Sequence, residues 1–109
     1  MKTTLFLIAG LFLVSNTQAA ELKGNAKAGK VLAYTCTGCH GIAEYKNAYP
    51  SYRVPKIAGQ NEKYLLAALH GYKKGERNHP TMKAQASSYS DQDIADIAAH
   101  LSSLKSSKK

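Results

Sequence analysis

Cys36-Thr37-Gly38-Cys39-His40 is the stretch on which the reading of this chain turns. It spells C-x-x-C-H, the spacing at which a c-type haem is attached. Two thiols separated by two residues can each add to one of two vinyl groups on the same porphyrin edge, and the next residue then lies beneath the ring. His40 is therefore the candidate proximal iron ligand. Its second ring nitrogen stays free to bond a backbone carbonyl that fixes tautomer and orientation.

Other chemistry fits a bare C-x-x-C. Cys36 and Cys39 could form a thiol-disulfide exchange pair, but that version sits in a βαβ pattern and none is visible here. Half of a zinc site is a second reading, although a structural site needs four ligands at paired spacing and His70, His79 and His100 show no H-x-x-x-H pairing. A simple structural disulfide is the third.

The chain N-terminal to the motif says where this chemistry happens. Lys2 precedes an apolar run from Leu5 to Val14, followed by polar Ser15-Asn16 and the small-residue stretch Thr17-Gln18-Ala19-Ala20. This reads as a secretory signal peptide, residues 1–19, cut after Ala19. A ten-residue run rises only about 15 Å as a helix, half of a hydrocarbon core of about 30 Å, so no stable membrane insertion is expected. Export to the periplasm follows. There an oxidising environment would pair the two cysteines unless haem attachment consumed them.

Removing the first 19 of 109 residues leaves 90, residues 20–109, which form one domain with its core in 25–104. A haem would give so small a domain a large apolar face to pack against. The 15 Lys and Arg against 7 Asp and Glu give a net charge of +8. The lysines are dispersed and no nucleic-acid module is recognisable, so the charge points to acidic protein faces or to solubility and not to nucleic acid.

Helical signals recur along the mature chain. Asn25 predicts a cap for a helix over Ala26 to Tyr34 that delivers Cys36 at its end. Gly38 and Gly41 are read as letting the backbone turn past a macrocycle. From Ile42 to Gln60 periodicity disappears, and Pro50, Pro55, Gly59, Tyr45, Tyr49 and Tyr52 mark a long loop expected to wrap one haem edge, with Arg53 or a tyrosine as a propionate donor. Asn61 predicts a cap for Glu62 to His70, with Gly71 as its stop and Tyr64, Leu65, Ala68, Leu69 and Tyr72 as its apolar face; His70 is read as structural. Thr81 is the expected cap of a short helix through Ser87. Ser90 caps the last helix, with Asp93 completing a capping box and Ile94, Ile97, Ala98, Leu101 and Leu104 as its stripe.

Closure of the sixth iron position decides function. Met82 lies 42 positions beyond His40, far enough to reach the opposite haem face, and the other methionine, Met1, leaves with the signal. A thioether opposite His raises the reduction potential. His79 is the rival, since bis-His ligation is also known.

The order helix, C-x-x-C-H, loop, helix, Met, helix resembles the class I c-type cytochromes. Val54-Pro55-Lys56-Ile57-Ala58-Gly59-Gln60, Tyr64-Leu65, His79-Pro80-Thr81-Met82 and Ser90-Asp91-Gln92-Asp93-Ile94-Ala95-Asp96-Ile97-Ala98 are similar to one haem domain of the cytochrome c4 family. The likeness covers Asn25 to Leu104. It implies an all-α fold: a small cytochrome c-like haem domain of three main helices plus a short helix and long haem-wrapping loops. It also implies one covalently bound haem c held by Cys36 and Cys39, His40 and Met82 as axial ligands, and the carbonyl of Pro55 as acceptor for the free nitrogen of His40. Cytochrome c4 has two haem domains and this chain has one attachment site, so transfer between haems is not expected within it.

The function so implied is a periplasmic electron carrier and not an enzyme, exchanging electrons with redox proteins that present acidic docking faces. A thiol-disulfide oxidoreductase built on Cys36 and Cys39, or a small-ligand or peroxide-reactive haem protein with an open sixth position, is the alternative.

Overall fold

The structure is a computed structural model and describes residues 21–42 and 54–105. The signal peptide expected at 1–19, the tyrosines 45, 49 and 52 with Arg53, and the last residues of the tail lie outside the described residues. Within them five helices occur and no strand: α1 (Ala26–Leu32), α2 (Tyr34–His40), α3 (Glu62–Lys74), α4 (Pro80–Ser87) and α5 (Asp91–Ser103). No helix among these residues is long and apolar enough to cross a membrane.

Side-chain caps set most of the boundaries. Asn25 accepts the Lys27 and Ala28 amides at 3.0 and 3.2 Å, and Asn61 accepts the Tyr64 amide at 3.1 Å. Ser90 and Asp93 form the expected reciprocal box: Asp93 N–H donates to Ser90 Oγ at 3.1 Å, and Ser90 N–H to Asp93 Oδ2 at 2.9 Å.

Three expectations are corrected. The single helix read over Ala26 to Tyr34 is divided at Ala33, which is buried, and a new helix starts at Tyr34. This break frees the Leu32 carbonyl, which accepts the Tyr89 hydroxyl at 3.1 Å. The second helix does not stop at Gly71; it runs on to Lys74 and ends at Gly75, whose φ of 80° is the left-handed conformation that favours glycine. The cap of α4 is His79, with Pro80 at the first helical position, and not Thr81.

Ile94, Ile97 and Leu101 of α5 are the largest fully buried side chains, each worth about 1.5–3 kcal/mol of transfer free energy. Leu65 of α3, Ala33 and Ile42 pack into one cluster with Ile97 and Leu101. Helix α1 crosses α5 where Gly29 is buried: a Cβ there would overlap the Asp96 carbonyl oxygen. The Asp96 side chain, 7% exposed, accepts the Asn25 amide at 2.7 Å and Gln92 Nε2 at 2.8 Å, so its buried carboxylate is hydrogen-bonded and ties the start of α1 to α5. The segment Val54–Gln60 docks at the end of α5, where Gly59 N–H donates to the Leu101 carbonyl at 2.8 Å.

Candidate functional site

Helix α2 carries the whole C-x-x-C-H motif. Cys36, Cys39 and His40 stand at i, i+3 and i+4, and that spacing puts both thiols and the imidazole on one helical face. The helix ends at Gly41 in the left-handed conformation, φ 57°, with its amide on the Thr37 carbonyl at 3.2 Å. Gly41 is thus the residue that turns the chain, while a Cβ at Gly38 would meet no atom within 4 Å of it.

His40 Nδ1 lies 2.7 Å from the carbonyl oxygen of Pro55. A carbonyl only accepts, so Nδ1 carries the proton and Nε2 keeps its lone pair free. Across from α2, the first turn of α4 holds Met82 half-buried. His79 Nδ1 accepts the Met82 amide at 3.2 Å, so this imidazole is occupied in fixing the backbone of the methionine.

These groups line one cavity of about 520 Å³. Cys36, Cys39, His40 and Pro55 line it together with His79 and Met82, and Ile57, Leu65, Leu69, Ile97 and Leu101 supply apolar wall. All five site residues read from the sequence therefore border the same space. Tyr89, Arg77 and Gln85 border it too and were not singled out as site residues. The signal for Tyr89 was its place directly before the Ser90 cap, the position of a hydrophobic staple. Its hydroxyl bonds Thr35 Oγ1 at 2.7 Å and pins the corner before α5 to the start of α2.

No disulfide joins the two cysteines; Cys36 is half-buried and Cys39 exposed. Burial pushes the Cys36 thiol above its ordinary range, opposed by a hydrogen bond with Thr35 and reinforced by Cys39. That is the reverse of the activation a dithiol nucleophile needs. Among the described residues no three His, Cys, Asp or Glu side chains converge as a metal-binding cluster, which leaves the zinc reading without support.

A haem fits this donor set. Thiols at vinyl-addition spacing, an imidazole with a free nitrogen, a thioether and an apolar cavity are what a covalently held iron porphyrin requires. A helical shell around such a cavity, with C-x-x-C-H on its wall, defines a class: small all-α haem proteins. The chain belongs to the cytochrome c family, whose model matches residues 26–105, and its haem is of the covalently bound c type. It is 41% identical to cytochrome c4 of Pseudomonas aeruginosa over 93% of its own length and 49% of that protein. It is 40% identical to cytochrome c-554(548) of Halomonas halodenitrificans over 73% of its length and 96% of the relative, and 36% identical to cytochrome c4 of Stutzerimonas stutzeri. The chain spans about half the length of the cytochrome c4 relatives it matches.

Proposed function

We propose that this chain is a monohaem electron carrier of the periplasm and not an enzyme, with Cys36 and Cys39 as the thioether attachments and His40 and Met82 as the axial ligands. The observation that carries the reading is the convergence of these four side chains on one cavity, with His40 already oriented by the Pro55 carbonyl. When bound, the haem supplies a one-electron couple at iron. The residues bind, orient and shield it.

Covalent attachment leaves no free prosthetic group to lose in an exported protein. The Pro55 carbonyl keeps the His40 tautomer fixed and raises the basicity of the ligating nitrogen. With haem bound, the Met82 thioether would be a ligand that favours the ferrous state and excludes small ligands, which supports a carrier over a peroxide-reactive protein. Ile57, Leu65, Leu69 and Leu101 give the cavity an apolar wall that would limit solvent around a bound haem.

Visible spectra of oxidised and reduced protein matured in the periplasm, with haem staining after denaturing electrophoresis, test this. Wild type should retain stain and show a six-coordinate spectrum in both states. Replacing Cys36 and Cys39 by Ala should abolish the stain and leave a poorly folded chain. Stain that survives in the double mutant would refute covalent attachment.

A further inference from the structure

The wall of the cavity is apolar except at a few places, and one of them is a fixed positive charge. Of the 15 Lys and Arg in the sequence, Arg77 is the one among the described residues that lines the cavity. It lies on the connection between α3 and α4, five residues before Met82.

Arg77 is held in place by its surroundings. The guanidinium carbon sits 4.8 Å from the centroid of the Tyr72 ring, a cation-π distance, and Nη2 donates to the Tyr72 hydroxyl at 3.3 Å. The Arg77 amide donates to the Gly71 carbonyl at 3.1 Å. Its aliphatic stem runs over Gly71, where a Cβ would come within 3.0 Å of Cγ and Cδ. Gly71 therefore leaves room for the arginine, which explains a glycine in the interior of α3. The Tyr72 ring in turn meets His79 edge-on at 6.2 Å. Among the described residues, no carboxylate forms an ion pair with Arg77. Each Tyr72 contact leaves most of its five N–H donors unused.

A haem is an apolar disc that carries two carboxylates. An apolar cavity whose described wall carries a preorganised guanidinium matches that distribution of charge. We propose that Arg77 is a carboxylate-binding residue of the cavity, holding a haem propionate against its guanidinium. The inference rests on the haem reading of the cavity, and adds a role for the α3–α4 connection: it anchors the macrocycle by charge as well as presenting Met82.

Holo protein carrying Arg77→Gln, Arg77→Lys or, as a control, Lys74→Gln at the exposed end of α3, tests this by resonance Raman spectroscopy and redox titration. The propionate bending band should move to lower frequency in Arg77→Gln as the carboxylate loses its donor, with Arg77→Lys between that variant and wild type. The reduction potential should fall in Arg77→Gln, because a cation beside the haem favours the ferrous state. Lys74→Gln should leave the band unmoved. A propionate band in Arg77→Gln that superimposes on wild type would overturn the proposal, whether or not the salt dependence of electron exchange changes; a change there would assign Arg77 to a partner's carboxylate. If Arg77→Gln does not mature, an unmoved band in Arg77→Lys is decisive in the same sense. Wild-type protein without covalent haem stain overturns the haem reading itself, which separates the two failures.

Discussion

Gly29 of α1 lies so close to the backbone of Asp96 in α5 that no side-chain carbon fits between them. Ala33, which follows α1, and Ile97 of α5 are buried in one cluster. Gly29→Ala should therefore push α1 away and cost about 1–3 kcal/mol, the range for overpacking a filled core. A thermal melt of the holo protein checks it: for a domain of this size each kcal/mol lowers Tm by about 4–8 °C. An unchanged Tm would mean that the crossing adapts without cost.

Met82 and His79 make opposite predictions. If the Met82 sulfur is the sixth ligand, Met82→Ala erases the weak far-red charge-transfer band of the oxidised protein, lowers the reduction potential and lets carbon monoxide bind the reduced form. His79→Ala should preserve the band and cost about 1 kcal/mol through loss of the α4 cap. The reverse pattern would identify a bis-His protein.

Lysines near the site bear on association with redox partners. Lys56, Lys74 and Lys83 are exposed, whereas Lys73 Nζ is engaged by Asp91 at 2.9 Å. Charge reversal at Lys74 should slow exchange with an acidic partner more than neutralisation of Lys73. The wild-type rate should fall between about 0.01 and 0.15 M ionic strength, as the screening length shrinks from about 30 to 8 Å. A rate that ignores salt would leave the charge to solubility.

The Asp93 carboxylate is held below its ordinary range, first by the hydrogen bond from the Ser90 amide and then by the Ser90 side chain. A carboxyl group whose folded pKa is depressed stabilises the fold above its unfolded value of about 3.9 and loses that contribution as pH falls through the folded value. Asp93→Asn should thus lower stability at neutral pH and flatten the acid limb of the stability curve. Parallel curves for variant and wild type, compared by denaturant titration across pH, would contradict this.

Much of the architecture was legible because caps are local. Asn25, Asn61 and Ser90 each announce a helix through a side-chain oxygen two or three residues ahead of the amide it accepts. The thiols and the imidazole were readable because their spacing is the chemistry. What escaped depends on tertiary context. Gly71 and Gly75 are the same residue type four positions apart, yet one accommodates an arginine stem and the other takes the left-handed turn. His79 caps α4 through a ring nitrogen, outside the usual Ser, Thr, Asp and Asn set, although Pro80 at the next position marked the start. The break at Ala33 has no proline or glycine to signal it, because burial and the Tyr89 hydroxyl from 57 residues away produce it.

The bond between the Asn25 amide and Asp96 joins positions 71 residues apart. Closing a loop of that length carries an entropic cost of about 4 kcal/mol beyond a constant. The α1–α5 pair therefore cannot form until almost the whole domain has emerged, while Cys36 and Cys39 appear some 60 residues earlier than Asp96. The chain order therefore presents both thiols on an open chain before α5, which supplies Ile97 and Leu101 to the cavity wall, has emerged.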